Sequence, residues 1–169
     1  VNESYRTFET LVSNLPGMVY RCLNEAQWTM LFVSSGCFEL TGYHPNQLSL
    51  SAEVAYGDLI HPEDKARVWD LIQNQISKGL PYELEYRIRT QAGDEKWVWE
   101  RGEVVAQEDG KPIILEGFIA DITERKHAES AMRASEFRFS AIFRSSPISI
   151  ALTRLADNRL LDVNPAWLE

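Results

Sequence analysis

The sequence predicts an α+β protein built on one antiparallel sheet, and three observations carry that prediction. Tyr82, Leu84, Tyr86 and Ile88 alternate with Glu83, Glu85, Arg87 and Arg89, the period of a strand with one dry and one wet face. Two longer strand-like runs, 95–107 and 112–122, follow across an Ala92-Gly93-Asp94 turn and an Asp109-Gly110 hairpin turn, so the second half reads as a meander. Two short runs near the N-terminus must join the same sheet, because an isolated hairpin is barely stable in water.

Taken in order, residues 4–14 read as an amphipathic helix with Tyr5, Phe8, Leu11, Val12 and Leu15 near one face, stopped by Pro16-Gly17. Met18 to Leu23 and Trp28 to Val33 are the two short strands, around the polar turn Asn24 to Gln27. Ser34 to Thr41 predicts a short helix closed by Gly42, and 43–60 is irregular with at most a turn or two of helix. The best helix start is Pro62, whose missing N–H costs nothing at a first helical position, with Glu63 and Asp64 favouring the positive end. Val68, Trp69, Leu71, Ile72 and Ile76 form its apolar stripe and Gly79 ends it. The last strand is apolar on both faces, with Ile114, Phe118 and Ala120 on one and Ile113, Leu115 and Ile119 on the other, so something is expected to cover the outer face.

Asp121 can cap a following helix, with Glu124 three residues on as in a capping box. Residues 123–143 carry no Gly or Pro, and Ala128, Met132, Ser135, Phe139 and Ile142 make a short heptad-like stripe suited to a coiled-coil seam or to packing on the same domain. The tail repeats the beginning. Phe8, Leu11, Val12 and Pro16 recur as Phe139, Ile142, Phe143 and Pro147, displaced by 131 positions, and Val33–Glu39 resembles Val163–Glu169, displaced by 130. A tandem array is expected, its second copy stopping after its first strands. The expected boundaries are a flanking helix at 1–16, a domain at 17–122, a linker helix at 123–143 and the truncated start of a second domain at 144–169.

Composition narrows the functions. The 169 residues carry 17 basic and 25 acidic side chains for a net charge of −8, which argues against nucleic acid and anionic membrane surfaces as partners. No apolar stretch is long enough to cross a bilayer and no signal-peptide pattern opens the chain. The two cysteines, Cys22 and Cys37, suit a reducing compartment. A cytoplasmic setting is expected, any membrane anchor lying outside these residues.

Several segments together resemble a PAS domain with its C-terminal PAC motif, over about residues 4–125. They are Phe38-Glu39-Leu40-Thr41-Gly42-Tyr43, His61-Pro62-Glu63-Asp64, Gly93-Asp94, Trp97 with Glu100-Arg101-Gly102, Asp109-Gly110, and Gly117 through Asp121-Ile122-Thr123-Glu124-Arg125-Lys126. Their order and spacing are specific where each alone is not. The resemblance implies a five-stranded antiparallel sheet flanked by helices. It implies a sensory or relay module of a multidomain bacterial signalling protein, of the histidine kinase or cyclic-di-GMP type, with the catalytic output outside this chain. It also implies a homodimer and neighbouring PAS and output domains as partners. The candidate pocket is Met18, Tyr20, Phe32, Phe38, Trp69, Ile72, Leu84, Tyr86, Trp97 and Phe118. Asp121, Thr123 and Arg125 are the candidate signal joint, and Tyr5, Phe8, Leu11, Val12, Met132 and Phe139 the candidate dimer contacts.

Other chemistries fit poorly. The family's light-sensing branch uses an Asn-Cys-Arg motif beyond the Thr-Gly-Tyr segment, and no Cys lies between Tyr43 and Asp64. Of the histidines, His61 precedes Pro62 at a helix start, His44 precedes Pro45 in a loop and His127 lies on the exit helix, so none is placed as a haem ligand and the three have no metal-site spacing. Glu83, Glu85, Glu100 and Glu103 could pair as catalytic carboxylates, but Glu83 and Glu85 share a wet face with Arg87 and Arg89, and no nucleophile–His–acid set or phosphate loop appears. No enzyme activity and no cofactor is expected. A ligand-binding sensor and a ligand-free dimerisation relay remain, and the large rings of the interior favour a relay or a small ligand.

Overall fold

A computed structural model describes residues 3–49 and 54–168, except for the side chains of residues 4–6, 8 and 9. The chain divides into two compact units, 1–124 and 125–169.

The first unit opens with α1 (Glu3–Ser13), β1 (Met18–Leu23) and β2 (Met30–Val33), then α2 (Cys37–Thr41), α3 (Pro45–Leu48) and α4 (Tyr56–Leu59). The long α5 (Pro62–Ile76) leads to β3 (Tyr82–Arg89), β4 (Glu95–Glu108) and β5 (Lys111–Asp121), after which α6 (Thr123–Ser145) begins. The five strands form one sheet in the order β2-β1-β5-β4-β3, each neighbouring pair antiparallel. This is an α+β arrangement with helices flanking a five-stranded antiparallel sheet.

Local chemistry sets the element ends. Pro62 opens α5 as expected, with the His61 Nδ1 accepting from the Glu63 N–H at 3.3 Å. Asp109 and Gly110 both sit at positive φ, 49° and 75°, as a type I′ hairpin requires. Two starts differ from expectation. β2 begins at Met30, because Trp28 turns into the left-handed region (φ 52°) to donate its N–H to the Glu25 carbonyl. α2 begins at Cys37, because Ser34 is occupied with β1: its N–H bonds the Val19 carbonyl and its Oγ accepts from the Val19 N–H.

The start of α5 is fastened to the open edge of β3. Asp64 accepts from the Arg87 backbone N–H (2.9 Å) and from two nitrogens of its guanidinium (3.0 Å each), and Glu63 takes a further guanidinium bond. A ladder N–H that would otherwise face solvent is thereby satisfied, which blunts the edge.

On the inner face of the sheet, cross-strand register lines up Tyr20, Gly117, Gly102 and Tyr82 across β1, β5, β4 and β3. The two glycines leave a trough in which the outer tyrosines lean toward each other. A Cβ on Gly117 would come within 2.8 Å of the Tyr20 ring, and one on Gly102 within 2.5 Å of the Tyr82 ring. The next row is Met18, Ile119, Glu100 and Leu84, so a carboxylate faces the core beside the tyrosine pair.

The second unit contains most of α6, a hairpin of β6 (Ala151–Thr153) and β7 (Leu160–Val163), and a 3-10 turn, Pro165–Trp167. The sequence repeat has a counterpart in its hydrogen bonds. Asn164 donates its N–H to the Ile150 carbonyl and accepts from the Ile150 N–H on Oδ1, as Ser34 does with Val19.

Candidate functional site

The interior between the sheet and α5 is polar at one point. Glu100 on β4 is 6% exposed, and its carboxyl accepts from two tyrosine hydroxyls: Tyr20 on one oxygen, and Tyr86 on the other at 2.6 Å. Tyr20 and Tyr82 share a 2.6 Å hydroxyl–hydroxyl bond, and Tyr56 and Tyr86 one of 2.9 Å. Five side chains from β1, α4, β3 and β4 thus form one buried network, in which low polarity makes each bond matter more. Beside it lies a cavity of about 10 Å³, lined by Tyr20, Cys22, Trp28, Tyr56, Tyr86 and Glu100 with aliphatic residues of α5. That is room for about one water.

Burial raises the pKa of Glu100 above its ordinary 4.5, against the pull of the Tyr20 and Tyr86 hydrogen bonds. All four tyrosine hydroxyls are pushed up too, first by burial and then by the nearby Glu100. Among the described residues no Lys, Arg or His forms an ion pair with Glu100. Cys22 and Cys37 are free and buried. Burial lifts Cys37 to about 11 and Cys22 further, so neither presents a thiolate at neutral pH. Among the described residues no His, Cys, Asp or Glu cluster could hold a metal ion, and no helix is long and apolar enough to cross a membrane.

Of the ten pocket candidates, Tyr20, Ile72 and Tyr86 line the cavity, and Met18 and Leu84 are buried on the same face without reaching it. Trp69 is half-buried at the rim, its ring 5.3 Å from that of Trp28. The other four need correction. Trp97 pairs with Arg87, Phe118 with Arg101 and Phe32 with Arg21, and directly paired residues share a face, so all three belong to the outer side of the sheet. There Phe118 and Trp99 line a shallow cleft of about 510 Å³ with Arg101, Glu103 and Glu116. Phe38 is 47% exposed and stacks on His44. β4 carries apolar side chains on both faces, Trp97 and Trp99 on one and Val98 on the other, so the cross-strand register is needed to show which is inner. The same register shows Glu100 to be an inner residue that the sequence reading missed, whereas Trp28, in the turn before β2, and Tyr56, on α4, lie outside any strand pairing and carry no such signal.

The end of the sheet is tied by several bonds. The Trp97 N–H donates to Thr123 Oγ1 (3.0 Å), the Ile122 N–H donates to the Trp97 carbonyl (2.9 Å), and Asp121 Oδ1 accepts from the Thr123 N–H (2.9 Å). The Asp121 cap therefore engages a residue two positions on, a tighter arrangement than the expected capping box. Lys96 pairs with Asp121 at 3.0 Å and donates to the Glu39 carbonyl of α2. Burial opposes ionisation of Asp121, but Thr123 and Lys96 outweigh it and lower the pKa. Arg125 pairs with Glu129 at 3.7 Å on α6. Of the dimer candidates, Leu11, Met132 and Phe139 are exposed; Val12 is buried, which takes it out of reach of a partner; the side chains of Tyr5 and Phe8 lie outside the described residues.

Residues 30–119 match a family model described as PAS fold, and residues 138–169 one described as PAS domain. The chain is 35% identical over 106 residues to a methyl sulfide methyltransferase-associated sensor of Methanosarcina acetivorans, covering 62% of this chain and 10% of that protein. It is 31% identical over 109 residues to a blue-light-activated histidine kinase of Brucella ovis, covering 61% of this chain and 21% of that one. The chain thus spans between a tenth and about a fifth of these relatives' lengths. A solved sensory box histidine kinase/response regulator from Burkholderia thailandensis superposes with a TM-score of 0.64 at 28% identity, over 79% of this chain and 98% of that one. The N-terminal domain of a diguanylate cyclase with PAS/PAC sensor from Marinobacter aquaeolei shares the fold, with a TM-score of 0.53 at 21% identity over 66% of this chain and 99% of that one.

Proposed function

This chain belongs to the PAS-fold family, and from that premise we propose that residues 17–122 convert a change in the Glu100 interior into a movement at the start of α6. The chain is a sensory signalling module, related to sensors and sensor kinases. The observation that carries the coupling is that one strand serves both ends of it. β4 presents Glu100 to the interior, and three residues earlier the Trp97 backbone holds Thr123. A change in the charge or partners of Glu100 acts on four tyrosines from three other elements, and β4 is the rigid piece they share with the exit. Such a change shifts the output only by the free energy with which it distinguishes two arrangements of the sheet.

A ligand-free relay is the second reading, favoured by the near-complete filling of the cavity. Either way Asp121, Thr123 and Arg125 form the joint. A homodimer is part of the proposal, and the exposure of Leu11, Met132 and Phe139 supports helix seams, α1 on α1 and α6 on α6. So are a cytoplasmic setting, a second PAS domain starting near 144, and an output domain of kinase or cyclic-di-GMP type elsewhere in a longer protein.

The test is amide hydrogen exchange on the wild type and Glu100→Gln. The proposal expects the amides of Ile122 and Thr123 to exchange at least threefold differently, with the distant Asp109-Gly110 hairpin turn unchanged. Identical rates at 122 and 123, with altered rates only around the tyrosines, would end it.

A further inference from the structure

We infer that the Glu100 interior receives the head of a small primary alkylammonium whose chain runs out past Trp28 toward Trp69. The inference rests on the sensory reading above and adds the chemical class of what is sensed.

The head group follows from a buried carboxyl that has spare acceptor positions and, among the described residues, no cation beside it. Glu100 is buried with two hydroxyl donors and no cation among the described residues, while two carboxylate oxygens offer about four acceptor positions. A buried carboxylate needs a proton or a positive partner. An ammonium supplies the positive partner in place of the proton, and further donors for the acceptor positions that the two hydroxyls leave open. The rings of Tyr20, Trp28, Tyr56 and Tyr86 around the cavity add the faces that attract a cation. The volume of about 10 Å³ suits a slender primary ammonium head better than a bulky quaternary one. An anion would face Glu100 directly and is disfavoured.

The route follows from a shared wall. A surface cleft of about 370 Å³ lies outside Trp28, lined also by Ala26, Gln27, Lys65, Trp69 and Asp70. Trp28 and Ile60 line both this cleft and the interior cavity. Trp28 also holds a left-handed backbone at φ 52°, a costly conformation for a bulky residue. A Glu25 carbonyl bond, the Trp69 ring and burial in the core at 6% exposure keep it there. Swinging Trp28 outward relieves its backbone and joins the two spaces, and the Met30, Val68 and Ile72 side chains then receive the alkyl chain.

Binding has a signature that a neutral ligand lacks. The groups facing Glu100 are Tyr20 and Cys22 on β1, Tyr56 on α4, and Tyr82 and Tyr86 on β3, all held neutral by burial. The proton displaced by an ammonium therefore comes from Glu100. The experiment titrates n-butylammonium chloride into the protein at pH 4.5, where a carboxyl with a raised pKa is mostly protonated, by calorimetry in buffers of different ionisation enthalpy, with n-butanol as the uncharged control. Expected are saturable butylammonium binding with proton release, butanol at least tenfold weaker, and at least a tenfold loss of butylammonium affinity in Glu100→Gln. Trp28→Gly, in which glycine takes the left-handed backbone freely, should speed association at least threefold. Proton release is read on the wild type, so the inference stays testable if Glu100→Gln fails to fold. No saturable butylammonium binding, equal binding of butanol, or binding without proton release would overturn it. A neutral or anionic molecule that co-purifies would also sink the cation class, while the coupling of interior to exit stands or falls on the exchange of Ile122 and Thr123.

Discussion

Gly102→Ala tests the interior by inserting one methyl group. The new carbon would sit 2.5 Å from Tyr82 Cζ and 2.8 Å from the Tyr20 hydroxyl, where ordinary contacts begin at 3.4 Å. The Tyr82 ring must therefore retreat by about 1 Å, which stretches its 2.6 Å bond to Tyr20 beyond hydrogen-bond range. Overpacking costs about 1–3 kcal/mol. A buried hydroxyl left unpaired adds about 1–3 kcal/mol, so the total is about 2–6 kcal/mol. Gly102 does not have a positive φ, so backbone strain contributes nothing to that figure. With a urea dependence of about 1–3 kcal/mol per molar, the midpoint should fall by about 1–2 M or more in tryptophan-monitored unfolding. Tyr82→Phe alone should cost about 1 kcal/mol. Combined with Gly102→Ala, it should cost less than the two changes added, because both act on one hydroxyl pair. A midpoint within experimental error of wild type for Gly102→Ala would refute the packing of the two tyrosines over the glycine trough.

Other expectations follow from charge and assembly. Asp64→Asn removes the carboxylate that holds Arg87, and should cost about 1–3 kcal/mol after allowance for solvent screening. Arg87 lowers the Asp64 pKa below its ordinary 3.8, so this stabilisation is full above 3.8 and disappears as pH falls through the lowered value; acid unfolding of the wild type and the Asn variant should converge there. Glu100 has the opposite sign: its folded pKa is raised, so its contribution is greatest below 4.5 and is lost as pH rises through the folded value. Urea midpoints from pH 4 to 8 should therefore fall with pH in the wild type and stay flatter in Glu100→Gln; parallel curves would argue against a proton on Glu100. Sedimentation equilibrium should find a dimer that Met132→Glu with Phe139→Glu weakens at least tenfold, and a wild-type monomer at all concentrations would remove the α6 seam.

The sheet was legible because its signals are local. Alternation from Tyr82 to Ile88, the Asp109-Gly110 turn and the Pro62 start each act within a few residues, and each appears where the sequence puts it. The interior was less legible because its composition depends on which residues meet across strands. Trp97, Val98 and Trp99 give β4 apolar side chains on both faces, so the strand alone does not say which side is inner. Glu100 reads as one acidic residue among four until Gly102 and Gly117 are seen to stand between Tyr20 and Tyr82. The sequence places Trp28 at the start of the second strand, but its left-handed turn, with the N–H bonded to the Glu25 carbonyl, puts it before β2. The outer position of Phe118 was within reach of the sequence, which had grouped it with Ile114 and Ala120 on one face of β5 and Leu115 and Ile119 on the other.

Nuclear magnetic resonance can follow the Glu100 side-chain carbon and the Trp97 and Thr123 amides through one pH titration of the wild-type protein. If β4 links the interior to the exit, Glu100 titrates above 4.5 and both amides shift with the same midpoint, then stand still in Glu100→Gln. A Glu100 titration that leaves the Trp97 and Thr123 amides unmoved would contradict the link.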